Sequence, residues 1–452
     1  MATTTLHEVP TSNEAWGAGS MPALARNNDR AATRPDVPVE RGLLISVATG
    51  ATLLLPAALL YARAIADAML TLIAVLFLVS LWSSRQWRWL LSPWTRIMLL
   101  LWAWTLLCTL LAGTGPAIAQ ALAALRFFVF TAALENWVLV DPLSRRRLWY
   151  VVLGVAIWIV LECWQQYLFG TSILGYRRYI DGALTGPFAR PIAGGTYLAV
   201  LFPAVLPLCF MLLRRGGRFD WVYAIGTLAF AAATMLLIGQ RMPSVLMLLG
   251  LCVTGLLFRQ FRVPVVLTII VGAVLLASLP MVSPPTFAKL VVQFTQQLET
   301  FWQTPYGAIF GRAVTMIQAN PWLGLGWDGF RDNCMQPAYL RGVSWLPIAD
   351  PASPAGCNIH PHNYWLQIAT SAGLPGLALF VLLTVVWLRR IAGGAEYLRN
   401  DQRAALLVIV FVMLWPVASA TSLFTVPNAG WFFLMVGWGL AEARFPAGQS
   451  TQ

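Results

Sequence analysis

Apolar runs of roughly 17 to 25 residues, long enough to cross about 30 Å of hydrocarbon, recur along most of the 452-residue chain. Twelve are found, at about 42–61, 65–82, 97–112, 117–138, 148–168, 191–213, 221–238, 242–258, 263–280, 363–388, 403–420 and 428–445. The expected fold is an all-α integral membrane protein of about twelve transmembrane helices. Residues 1–41 are polar and rich in Ala, Thr, Asn and Pro, which predicts a disordered tail. No apolar core with a cleavage site follows a short basic start, so the first run is expected to stay as a membrane helix. The interval 281–361 is the long hydrophilic one. In it Phe287, Leu290, Val291, Phe294, Leu298, Phe301 and Trp302 fall at helical spacing, predicting an amphipathic helix. A second short helix is expected over about 309–318, ending at Asn320-Pro321 ahead of the turn Gly324-Leu325-Gly326. The expected organisation is nine spans over 42–280, a loop domain over 281–361, three spans over 362–445 and a short tail at 446–452.

Composition removes the soluble alternatives. With 58% hydrophobic and 11% charged residues the chain has too little polar surface for a water-facing protein. Its net charge is +12, and all its basic residues but Lys289 are arginine. These lie scattered between apolar runs, leaving no room for a basic nucleic-acid domain. Counting them on alternate loops gives fifteen in one set and five in the other. The richer set holds Arg145, Arg146, Arg147, Arg214, Arg215, Arg389, Arg390 and Arg403; the poorer holds Arg63, Arg177, Arg178, Arg190 and Arg241. Cytoplasmic loops retain Lys and Arg, so both termini are expected inside and the 281–361 loop outside. Many of the 21 Trp stand near span ends, as an interfacial aromatic belt requires. Cys108, Cys163, Cys209 and Cys252 fall within spans. Cys334 and Cys357 share the outer loop, where an oxidising compartment permits a bridge; the sequence leaves open whether it forms.

Only three histidines exist, and His7 belongs to the tail. His360 and His362 lie in Cys357-Asn358-Ile359-His360-Pro361-His362-Asn363, where the loop meets the tenth span. Pro361 suits the first turn of a helix, which would put His362 at its outer N-terminus. That end disfavours an imidazolium and keeps the ring available as a base. At about 100° per residue, His362, Leu366, Ala369, Gly373 and Gly376 share one face unless Pro375 kinks the helix. Glycines below the histidine would then let another helix pack closely. A loop histidine above an unrelated glycine pair is the plainer alternative. Arg126 and Glu135 lie nine positions apart in span four, too far to pair, so each needs another partner. For Arg126 that is a lipid phosphate or the bundle itself; Glu162, near the outer end of span five, could face a sugar or an arginine.

His362-Asn363, nine residues, then Gly373-Leu374-Pro375-Gly376 resembles the H-[NSQ]-x9-G-x-x-[GTY] signature of the bacterial O-antigen ligase family. Further segments match that superfamily in order: Gly186-Pro187-Phe188-Ala189-Arg190-Pro191, Gly239-Gln240-Arg241, and Gly311-Arg312 ahead of Asn320-Pro321-Trp322-Leu323-Gly324-Leu325-Gly326. Gln240 departs from it, since relatives often have Ser there. The resemblance implies a GT-C-like membrane glycosyltransferase of the bacterial inner membrane. It would move an O-antigen glycan from undecaprenyl diphosphate to the lipid A core oligosaccharide at the periplasmic face. On that reading His362 is the base, and Arg190, Arg241 and Arg312 hold the donor diphosphate through bidentate, permanently charged guanidinium groups. His360, Asn363, Asp328 and Arg126 are supporting candidates, with Asp328 an alternative base or an orienting partner for His362. No close pair of outer acids suggests a metal, and no cofactor is expected. The acceptor alternatives within the superfamily are a growing glycan, as in an O-antigen polymerase, or a protein, as in an O-oligosaccharyltransferase. A twelve-span transporter is disfavoured because the distinctive polar residues gather at one face and no internal repeat is evident.

Overall fold

The computed structural model of the protein describes residues 39–394, 400–418 and 421–445. The tails expected at 1–41 and 446–452 lie outside the described residues, except that 39–41 open the first helix. Helices account for the described chain, with one isolated β-bridge, Thr171 to Arg177. Nine helices come first, joined by short connections except for the longer segment 170–192 between the fifth and sixth: α1 (Val39–Tyr61), α2 (Arg63–Ser84), α3 (Pro93–Ala112), α4 (Gly115–Ala133), α5 (Pro142–Phe169), α6 (Ala193–Arg215), α7 (Asp220–Ile238), α8 (Arg241–Leu257) and α9 (Arg262–Val282). The loop domain follows with α10 (Pro284–Phe287), α11 (Gln293–Glu299), α12 (Pro305–Ala319) and α13 (Gly329–Asn333). The last three are α14 (Tyr364–Ala392), α15 (Asp401–Met413) and α16 (Asn428–Arg444).

Each expected span coincides with a helix, but not all are long enough to cross a membrane. Nine helices among the described residues meet that requirement by length and apolarity. Helices α8, α15 and α16 are shorter, at 17, 13 and 17 residues. The span expected over 403–420 stops at Met413 because Pro416 follows, and the residue before a proline is driven from helical geometry. The amphipathic helix expected after Phe287 is also interrupted, with a π-turn at Ala288–Val292 between α10 and α11.

Helix α16 is the centre of the bundle, buried along its whole length from Ala429 to Glu442. Its glycines admit side chains from neighbours: Leu59 sits over Gly430, Leu134 over Gly437 and Ile391 over Gly439. Opposite the loop domain the helix ends are tied by ion pairs. Arg145 meets Glu442 at 3.2 Å, Arg390 meets Glu135 at 2.5 Å and Arg214 meets Asp401 at 2.5 Å. Arg403, also buried, donates to Ile391 O at 2.7 Å and Gly393 O at 2.5 Å. Arg126 pairs with Asp67 of α2 at 3.0 Å, so the bundle itself provides its partner.

Helix α14 is broken at Gly373, whose φ of 66° and ψ of −169° are not helical and are almost exclusive to glycine. The turn after α12 enters the break. Leu325 N donates to Thr370 O at 2.8 Å and Gly326 N to Ser371 O at 3.0 Å, while Leu374 N donates to Pro321 O at 2.7 Å. The remaining carbonyl, Ala372 O, accepts from Trp104 Nε1 at 2.9 Å. These bonds satisfy the carbonyls of Thr370, Ser371 and Ala372 and the amide of Leu374, as a site shielded from water demands. The approach is backbone to backbone: a Cβ on Gly324 would stand 2.7 Å from Ala372 N, and one on Gly373 would stand 2.3 Å from Trp322 O. The face expected to run from His362 through Gly373 to Gly376 is therefore interrupted at Gly373 itself, not at Pro375. Gly376, beyond the break, remains a close-packing position, beside Ala372 and Trp104.

Candidate functional site

The site lies at the loop-domain end, on a strap from Cys357 to Asn363. Asn363, rather than His362, caps α14: its Oδ1 accepts from Trp365 N at 2.9 Å and Leu366 N at 3.1 Å. Its Nδ2 donates to Pro416 O at 2.6 Å, fastening the cap to the segment after α15. His362 consequently stands just outside the helix, with a left-handed φ of 50° that costs a non-glycine residue on the order of 1–3 kcal/mol. Pro361 lies ahead of the cap instead of in the first turn. His362 N donates to His360 Nδ1 at 3.3 Å, and the two rings meet edge-on with centroids 4.4 Å apart. Burial, then the neighbouring His362, push the His360 imidazole down to about 4. His360 is therefore neutral at neutral pH, and Nδ1, as acceptor, leaves its proton on Nε2.

Tyr306, in the first turn of α12, packs its ring edge-on against His362 at 5.6 Å between centroids. Its phenol also lies within electrostatic range of Arg241. Arg241 begins α8, and its guanidinium is held by Lys289 O at 2.9 Å, Gln293 Oε1 at 2.6 Å and Gln297 Oε1. Lys289 is itself paired with Asp181 at 2.5 Å. Gln240, next to Arg241, donates its side-chain amide to Pro191 O, and its side chain lies against Gly194. That bond brings the Arg190 segment alongside the start of α8. Arg190 is exposed. One end of the bundle thus carries, in succession, an imidazole, a phenol, a guanidinium with mostly neutral partners and an exposed guanidinium.

Arg312 has a different setting from the one expected for a diphosphate ligand. It is 3% exposed and faces the interior of the loop domain. Its guanidinium donates to Cys334 O, to Pro351 O at 2.6 Å and to Ser353 O at 3.2 Å, with Cys357 Sγ at 3.4 Å. Carbonyls take its donors as they do those of Arg241, but Arg241 is only half-buried, whereas Arg312 is enclosed where a phosphate arriving from outside does not reach it. Cys334 and Cys357 are joined by a disulfide, 23 residues apart in sequence. This hub adjoins a small core of Ile309, Ala313, Met316, Phe330, Cys334 and Tyr339.

Asp328 precedes α13 with a left-handed φ of 57°, and the adjoining Trp327 N donates to Thr109 Oγ1 at 2.9 Å. Burial, then Asp332, hold its carboxyl above the usual range, against Arg331 and a hydrogen bond from Gln120. Its neighbours include these groups and, through Trp327, the α3 end. Glu162 is fully buried in α5, receives Leu174 N at 3.4 Å and keeps Oε1 without a hydrogen bond among the described residues. The roles of Tyr306, Gln240, Gln293 and Gln297 were not evident from sequence. Gln240 did carry a signal, as the one departure from the family pattern.

A bundle of apolar helices with this polar cluster at one end defines a multi-pass membrane protein of all-helical fold. Residues 226–381 match the family model described as O-antigen ligase, and that stretch is similar to the family. The matched segment runs from α7 into α14 and includes Arg241, Arg312, Asp328, the strap and Gly373; Arg190 lies before it. No curated protein matches the chain. The match supports a likeness of this segment to membrane glycosyltransferases of the ligase and polymerase superfamily.

Proposed function

We propose that the protein is an O-antigen ligase of the bacterial inner membrane. On this reading it transfers glycan from undecaprenyl diphosphate to a hydroxyl of the lipid A core oligosaccharide at the periplasmic face. The observation that carries the reading is the succession His362, Tyr306, Arg241 and, through Gln240, Arg190 at one end of the bundle. The acceptor hydroxyl must lose a proton as it attacks the anomeric carbon, and His362 takes it. The carbon–oxygen bond to the diphosphate breaks in the same step, and the departing charge falls to Arg241 and Arg190. Tyr306 packs against the imidazole, and Arg312 holds the strap. A single displacement inverts the anomeric centre. Guanidinium groups serve in place of a metal on this reading. Twelve spans, the three short helices included, with both termini in the cytoplasm complete the proposal, supported by the surplus of arginine at the end opposite the loop domain.

The test is reconstitution of purified protein with lipid-linked glycan and rough lipopolysaccharide in the presence of EDTA. Transfer is expected from wild type and not from His362→Ala. Product formed at the wild-type rate by His362→Ala would remove the base assignment, and a requirement for divalent metal would remove the arginine account. Replacing the lipopolysaccharide acceptor by more lipid-linked glycan, or by a protein acceptor, separates ligase from polymerase and from protein glycosylation.

A further inference from the structure

We propose that the Cys334–Cys357 disulfide is a positioning device for the histidine strap, so that the site is assembled only in oxidised protein. The strap is tied at one end by Asn363, through the α14 cap and Pro416 O. Between Cys357 and His360 stand Asn358 and Ile359, both exposed, whose only side-chain bond is local, Ile359 N to Asn358 Oδ1 at 2.7 Å. Among the described residues Asn358 and Ile359 show no side-chain bond to the loop domain, so ahead of His360, and apart from the packing of Tyr306 on His362, the strap is anchored at Cys357. Arg312 secures the chain at Cys334 O, Pro351 O and Ser353 O, and the disulfide carries that fixation forward to the residue three positions before His360. Gly356 fits against the Arg312 guanidinium, where a Cβ would stand 3.2 Å from Nη2. His362, in a left-handed conformation, keeps it only while both ends of the strap are held. Arg312 and the disulfide are positioning residues in this account, acting on the imidazole from a distance. The consequence for transfer rests on the base assignment proposed above; the consequence for the strap does not.

Full-length protein in nanodiscs supplies the test. The double variant Cys334→Ser with Cys357→Ser is compared with oxidised wild type. A second arm treats folded wild type with dithiothreitol, which converts the bridge to two thiols while itself closing to a cyclic disulfide. Carbethoxylation of His360 and His362 by diethyl pyrocarbonate is followed by mass spectrometry, alongside turnover and donor KM. Loss of the bridge is expected to raise the His360 modification rate about tenfold, as a locally opened segment does. The turnover number is expected to fall about tenfold or more with donor KM changed less than about twofold, since the misplaced group is the base and not the donor site. An unchanged His360 rate in both arms overturns the clamp, as does a loosened strap with unchanged turnover in an active enzyme. If the strap loosens while wild type shows no transfer with any acceptor, the glycosyl-transfer reading fails and the clamp stands.

Discussion

His362 and His360 share a strap, yet the geometry separates their tasks. His360 is buried and accepts a hydrogen bond from the backbone of His362, which fixes the turn between them. Its folded-state pKa of about 4 lies below the unfolded value near 6.5. Its contribution to stability is therefore complete above pH 6.5 and is lost as pH falls toward 4, because the unfolded chain binds the proton first. Thermal melts across that window should show the loss, and His360→Gln should flatten the part of the slope that His360 causes. At His362 the expected effect is on rate: His362→Ala should lower turnover by about 10²–10⁴-fold, the usual range for a general base, with donor KM little changed. Arg241→Lys keeps the charge but not the planar fork that Lys289 O and the two glutamines hold. A charge-assisted bond to the diphosphate lost with the fork is worth about 1.5–3 kcal/mol, so donor KM should rise at least tenfold when measured at fixed acceptor.

At the scale of elements, the break in α14 explains why two glycine-containing motifs occur in one chain. The turn Pro321–Gly326 and the kink at Gly373 form one joint, with Gly324 and Gly373 each against the other segment's backbone. Gly373→Ala puts a side chain where the backbone admits none and is expected to cost several kcal/mol, on the order of 1–3 from conformation alone. A drop in detergent melting temperature and loss of transfer should accompany it. Gly154→Ala is the control: it lies in α5 with no atom within 4 Å of the added carbon, and helix propensity makes it neutral or stabilising by up to about 1 kcal/mol. The positions of both motifs were legible in the sequence. Their docking was not, because the partners lie far apart in the chain and no local periodicity encodes the contact. Trp104, which closes the joint, is 268 residues from Ala372.

For the whole molecule, the arginine surplus has a packing role beside the orientation proposed from it. Arg145, Arg214, Arg390 and Arg403 come from the fifteen on one loop set, and each is engaged by carboxylates or carbonyls that join different helix ends. Orientation is tested by cysteine labelling in a background lacking exposed Cys252. Ser344→Cys, exposed in the loop domain, should react with an impermeant maleimide in intact spheroplasts; Gln86→Cys, exposed at the opposite end, should react only after permeabilisation. The reverse pattern would invert the assigned topology.

The sequence by itself determined the helical class, the approximate place of every span and the polar motifs, because run length and residue type are properties of a single dimension. It also marked the strap, since histidines are scarce and stand at the edge of an apolar run. Only the tertiary structure decided which arginines face one another's neighbours and which are enclosed. Arg241 and Arg312 look alike in sequence, each preceded by a short glycine-containing motif. Packing leaves the first half-buried, held by Lys289 O and two glutamine side chains, and encloses the second among loop-domain carbonyls. The physical reason is that a guanidinium's availability depends on which acceptors folding brings to it, and those acceptors come from segments 22 to 56 residues away.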